Sequence, residues 1–168
     1  AQDRAKQYFQ NGTRFQGAYD RNSNVIEIFD GANQSTAIHE GAHMFLSMLE
    51  DMSNLDSETL LQHFNGDEKA ATASMERMQD DLSTIRKWAS YSDEHLAEYK
   101  GTALEKEFAQ HAADIAAGKE GAEERWIQER FARGFEKYLM DGSAPTKEMQ
   151  GVFRRFKKWL TDIYKTAK

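Results

Sequence analysis

The stretch Thr36-Ala37-Ile38-His39-Glu40-Gly41-Ala42-His43-Met44-Phe45-Leu46-Ser47-Met48-Leu49-Glu50-Asp51-Met52 carries two patterns at once. Ile38, Ala42, Phe45, Leu49 and Met52 recur at spacings of four and three, the stripe of a helix that buries one face. Ser35 or Thr36 can cap the first turn, which places the helix at about 36–52. His39 and His43 stand one position round from the stripe, at the edge of the core and toward a neighbouring element. Residues four apart on a helix have Cβ atoms roughly 5–6 Å apart, so both imidazoles can reach one ion at about 2.0–2.1 Å. Glu40, between them, can serve as general base toward a water. Gly41 costs about 1 kcal/mol relative to Ala in a helix interior. It marks either the close approach of another segment or a tolerated small residue.

Five histidines among 168 residues make His-Glu-x-x-His a chance event on the order of one or two times in a hundred, so its context decides. The length suits one domain that buries most of its apolar surface. There is no cysteine, so disulfides and thiolate metal sites are excluded, and a metal must use His, Asp or Glu. With 30% charged residues and a net charge of −6, no phosphate-tracking surface is expected and nucleic acid is an unsuitable partner. No apolar run approaches the roughly eighteen residues that span a bilayer. The start Ala1-Gln2-Asp3-Arg4 lacks an initiator Met and a signal-peptide core. The expectation is therefore a domain of a larger or processed polypeptide, with the cytoplasm favoured and no membrane partner.

One proline, few β-branched residues and long Ala/Glu/Lys/Gln stretches predict a mainly α protein. Strand is expected only over 13–29, where Phe15 to Tyr19 and Val25 to Phe29 flank Asp20-Arg21-Asn22-Ser23-Asn24 as a β-hairpin. That hairpin would be scaffold or an edge strand that pairs with an extended peptide. The expected class is thus mainly α with an α+β element, a hairpin beside the motif helix, over 1–168 as one domain. Residues 53–67, with Asn54, Asp56, Ser57, Asn65 and Gly66, read as a loop holding about one helical turn. Met75, Met78, Leu82, Ile85 and Ala89, with Trp88 adjacent, predict a helix from Asp67 to Ala89. Ser92 caps another to about Ala117, which Gly118 ends, so that 67–118 forms a helical region. Ile127, Phe131, Phe135 and Tyr138 stripe a helix over 120–140, broken by Asp141-Gly142-Ser143-Ala144-Pro145. A last helix over 146–166 buries Met149, Val152, Phe153, Phe156, Leu160 and Ile163 and turns Arg154, Lys157, Lys158 and Lys165 to water.

A catalytic zinc takes three protein ligands and leaves a position open, so His39 and His43 need a third. The metzincin continuation fails, because its Gly and third His fall at Leu46 and Leu49, and the reversed His-x-x-Glu-His order is absent. His63, His95 and His111 read as surface residues, which leaves a downstream carboxylate. On the helix 120–140, Glu129, Ala132, Arg133 and Glu136 share the flank opposite the aromatic stripe. The small Ala132 would let that helix approach the motif helix.

His39-Glu40-Gly41-Ala42-His43 followed downstream by Glu129-Arg130-Phe131-Ala132-Arg133-Gly134-Phe135-Glu136 resembles the gluzincin group of zinc metallopeptidases, including the anthrax lethal factor-like peptidases. In that group a second helix supplies a glutamate ligand, and the match puts it on Glu129. The run from Glu129 through Tyr138-Leu139, Gly142 and Ala144-Pro145 to Phe153-Arg154-Arg155-Phe156-Lys157-Lys158-Trp159-Leu160, with Ile163-Tyr164, resembles zincin-like peptidase domains of large phage and mobile-element polyproteins. The thermolysin-type Asn-Glu-x-x-x-Asp pattern is absent. The tyrosine that precedes the ligand glutamate by seven residues in lethal factor-like peptidases falls at Ala122, so an oxyanion partner stays open among Tyr138, Tyr99, Tyr91 and His111.

The resemblance implies a zinc-dependent peptidase acting on a peptide or protein, with His39, His43 and Glu129 as Zn2+ ligands and Glu40 as general base. Arg133 would hold the carboxylate of Glu129 or Glu136 from behind, or lie on the surface, with Glu136 as a further supporting residue. The alternative is a non-catalytic helical interaction module with a vestigial or structural metal site.

Overall fold

The computed structural model describes residues 34–167, with side chains over 38–161, and the hairpin expected over 13–29 lies outside them. Among the described residues seven helices follow one another: α1 Gln34–Ser53, α2 Ser57–His63, α3 Glu68–Ala89, α4 Asp93–Ala97, α5 Glu105–Ala116, α6 Ala122–Asp141 and α7 Lys147–Ala167. The α+β expectation is corrected on this point: the described residues form helices alone, with no strand. Within them α1 packs against α3, α6 and α7. Among the described residues no helix is long and apolar enough to cross a membrane.

Helix α1 buries Ala42, Phe45, Leu49 and Met52 as its spacing requires, and Leu46 and Met48 besides. It packs on α6 and α7 through an aromatic cluster: Phe45 stacks on Phe131 of α6 with centroids 6.1 Å apart and lies 4.6 Å from Phe156 of α7, which sits tilted 3.9 Å from Phe135. Ala132, fully buried, sits in the same core and keeps α6 near α1. Gly41 does mark a close approach: a Cβ there would stand 3.1 Å from Leu160 Cδ1 on α7. Gly134 on α6 is tighter still, since its Cβ would meet Trp88 Cη2 at 2.6 Å and Phe153 Cζ at 3.2 Å. Arg155 reaches across from α7 to the buried Asp81 on α3 and satisfies both carboxylate oxygens.

Two stretches depart from expectation. The segment 53–67 contains a full helix, α2, whose first turn is closed by Asp56 accepting from Thr59 N at 2.7 Å. The helix expected to run unbroken from Asp93 is two, because the chain leaves helical geometry after Ala97 and turns at Gly101, φ +78°. Ser92 caps the short α4 as expected, accepting from His95 N at 3.0 Å. The break lets α5 swing back, where Phe108 and Ala112 pack with Trp126 of α6 in a second small core. Glu107 and His111 each neighbour one of those anchors, so they come to the same side of α6 as Glu129.

Candidate metal centre

Helices α1 and α6 bring together the residues that the sequence suggests as ligands. His39 Nε2 lies 3.1 Å from His43 Nε2 and 3.3 Å from Glu129 Oε1, and His43 Nε2 lies 2.9 Å from the same oxygen. Three donors around a tetrahedral zinc with bonds of about 2.0–2.1 Å stand about 3.3 Å from one another. The triangle fits that size. The three side chains are 17%, 25% and 19% exposed, so the donors face a sheltered edge of the core that water can still reach.

The ring orientations suit the same task. His39 Nδ1 donates to Glu136 Oε1 at 2.5 Å, and His43 Nδ1 donates to Gln128 Oε1 at 2.9 Å. With both Nδ1 atoms so engaged, both Nε2 atoms point at the centre of the triangle. Gln128 is itself oriented, since its Nε2 donates to Ser47 Oγ at 3.2 Å. Arg133 Nη1 donates to Glu136 Oε2 at 3.2 Å and Nη2 to Glu107 Oε2 at 3.0 Å, while its Nε stays 3.9 Å from Glu129 Oε2. Of the two carboxylates that Arg133 could serve, it holds Glu136 the more closely.

Electrostatics follow from this crowding of donors. Burial would raise the pKa of Glu129, yet hydrogen bonds from His39 and His43 hold it well below the usual carboxylate range. Glu136 is lowered too, with His39 and Arg133 outweighing its burial. Burial raises Glu107, helped by its hydrogen bond with Glu129, against the pull of Arg133. For His43, burial pulls the imidazolium down, and the bonds to Glu129 and Gln128 more than offset it. Hydrogen bonds to Glu129 and then Glu136 raise His39 from 6.5 to about 9.

The raised His39 value has a consequence for the metal-free protein. Its contribution to stability is fully present below about pH 6.5 and is lost as pH rises through about 9, because the unfolded chain has already released that proton. Metal-free protein is expected to melt several degrees lower at pH 9.5 than at pH 6.5, and zinc, replacing the proton on Nε2, should remove the decline. A flat melting profile across that range without metal would contradict the His39–Glu129–Glu136 arrangement.

A second group, Glu107, His111 and Glu129, also offers donor atoms within 4.8 Å of one another. It is the looser fit, with His111 Nε2 4.0 Å from Glu107 Oε1, and the Arg133 guanidinium already supplies a cation to Glu107. Glu40 is exposed beside His39. Of the four candidate oxyanion partners, Tyr138 packs into the main core, the Tyr99 hydroxyl accepts from Arg130, and the Tyr91 hydroxyl donates to Asp93. His111 alone shares the surroundings of Glu129. Reading the sequence missed Gln128 and Glu107. An i,i+4 Glu-His pair and a lone Gln look like any solvated helix flank, and only the break before α5 brings Glu107 inward. Comparison with known proteins returns no match: no family model, no curated protein and no solved structure is similar to this chain.

Proposed function

We propose that the protein is a zinc-dependent peptidase of the gluzincin type. The observation that carries the reading is the triangle of His39 Nε2, His43 Nε2 and Glu129 Oε1, with edges of 2.9–3.3 Å and the Nδ1 atom of each ring donating to a side-chain oxygen. When bound there, a zinc ion supplies Lewis acidity and brings the pKa of a water toward about 7. Glu40, exposed next to His39, takes a proton from the attacking water and passes it to the leaving amine as the new C–O bond forms and the C–N bond breaks. Glu136 and Gln128 fix the imidazole rings, and Arg133 keeps Glu136 ionised. The kinship with zincin-like domains of phage and mobile-element polyproteins belongs to the same proposal, as does a peptide or protein substrate.

Zinc-loaded protein incubated with a mixed-sequence peptide library should generate new amino termini. A chelator should stop the cleavage and added zinc restore it. Stoichiometric zinc with no cleavage anywhere in the library would instead favour the alternative, a helical interaction module with a structural metal.

A further inference from the structure

The flank of α6 about a quarter turn round from Glu129 and Glu136 carries Arg130, Gly134 and Lys137. With Trp88 and Tyr99 these residues wall a cavity of about 470 Å3, inside the roughly 300–1,000 Å3 range that takes small ligands. Its charge runs against that of the chain: among the described residues Arg130, Arg133 and Lys137 line it with one carboxylate, Glu98, in a protein of net charge −6. Arg130 is 1% exposed. Its Nε donates to the Trp88 carbonyl at 3.1 Å and its Nη1 to Glu98 Oε2 at 2.9 Å and to the Tyr99 hydroxyl at 3.1 Å. Among the described residues Nη2 has no hydrogen-bond partner. A buried donor left unpaired costs about 1–3 kcal/mol, more when the group is charged. The guanidinium does not wander, because it lies 4.4 Å from the Trp88 ring centre and 5.7 Å from that of Tyr99. Trp88 in turn is held by the absence of a side chain at Gly134.

The cavity also adjoins the metal centre. Arg133 lines it and, with the same guanidinium, donates to Glu136 and approaches Glu129. On the peptidase reading, an extended chain lying over His39, His43 and Glu129 can present one of its residues to the cavity on the other side of Arg133.

We propose that this cavity is a specificity pocket for a carboxylate of the peptide substrate, received by Arg130 and Lys137. The identification of the ligand as a peptide rests on the peptidase reading; the anion site does not. Glu98, already 2.9 Å from Arg130 Nη1, repels a dianion more than a monoanion, so a carboxylate suits the pocket better than a phosphate. The carboxylate comes from an acidic side chain or from the end of the substrate chain.

The test uses zinc-loaded Glu40→Gln protein, to hold substrates uncleaved, and calorimetric titration with blocked alanine hexapeptides through which one Glu or one Gln walks. A third set carries Gln and a free C-terminal carboxylate. At one position Glu, or at one register the free terminus, should bind about tenfold or more tightly than its neutral counterpart, and whichever set shows the preference identifies the source. Lys137→Glu, an exposed substitution that should fold, is expected to erase the preference, and the Trp88 indole resonance should shift only with the preferred peptide. Equal binding of charged and neutral peptides throughout overturns the proposal. So does a preference that survives Lys137→Glu with the Trp88 resonance unmoved. Wild-type protein that cleaves peptides without any such preference fails the pocket and keeps the peptidase. A preference in a protein that cleaves nothing does the reverse.

Discussion

Glu129→Ala and His43→Ala, desalted after loading with one equivalent of zinc, are expected to retain almost no metal, whereas wild type keeps one ion per chain and Glu136→Ala keeps most of it. The ranking follows from which atoms face the centre. Glu129 Oε1 lies 2.9 and 3.3 Å from the two Nε2 atoms, while Glu136 touches His39 only through Nδ1, the far side of the ring. Structural zinc sites in small peptides bind with about 10–16 kcal/mol, or about 2.5–4 kcal/mol per donor when shared among four. Losing one donor therefore weakens binding about 10^2–10^3-fold. Losing an outer carboxylate that orients a ligand costs about 10–100-fold. Titration with a competing chelator resolves the two classes. If Glu129→Ala holds stoichiometric zinc and Glu136→Ala loses it, the ligand and its support have been exchanged, and the aperture between His39 and His43 must close on Glu136 instead.

The Glu136 substitution carries further information. Glu136 and Glu107 share Arg133, so removing Glu136 leaves the guanidinium with Glu107 at 3.0 Å and Glu129 at 3.9 Å. A guanidinium drawn toward Glu129 competes with a cation for that carboxylate. The zinc loss in Glu136→Ala should thus be eased in the double variant with Arg133→Ala, a non-additivity expected of groups in one network.

Much of this site was open to reading from residues alone, for identifiable reasons. The pair His39 and His43 and the flank Glu129, Ala132, Arg133 and Glu136 lie on long helices, where a period of 3.6 leaves little doubt about which residues share a face. What was hidden depended on contacts between helices. Arg130 carries no signal of burial in the sequence, yet it is buried because Trp88 offers it a ring and a carbonyl from α3. Glu107 approaches Glu129 only because the chain breaks between Ala97 and Glu105, and one glycine at position 101 is a faint signal for that break. Helix α2 escaped because its seven residues are too short to show a period, although Asp56 three before Thr59 is a capping pattern. The strand expectation had no such geometric support, since it drew on β-branched and aromatic content in one stretch outside the described residues.

Glu40→Gln is expected to keep zinc at wild-type stoichiometry and to lose about 10^2–10^4-fold in kcat/KM on any peptide the wild type cleaves, the usual worth of a positioned general base. Zinc should be indifferent to the change because the donor triangle uses His39, His43 and Glu129, and Glu40 is exposed beside it. Folding should be indifferent as well, since Gln is nearly the same size, forms helix as readily, and replaces a side chain outside the core. Activity is not indifferent, because an amide cannot take the proton from water. The same proton must reach the amine nitrogen for the C–N bond to break, so both halves of the reaction fail together and the loss should fall on kcat more than on KM. The contrast with Glu129→Ala separates two kinds of inactivity: one protein without metal, one with metal and no base. A Glu40→Gln protein that cleaves as fast as wild type would remove Glu40 from the chemistry and send the search for the base to His111, whose ring shares the neighbourhood of Glu129 from the α5 side.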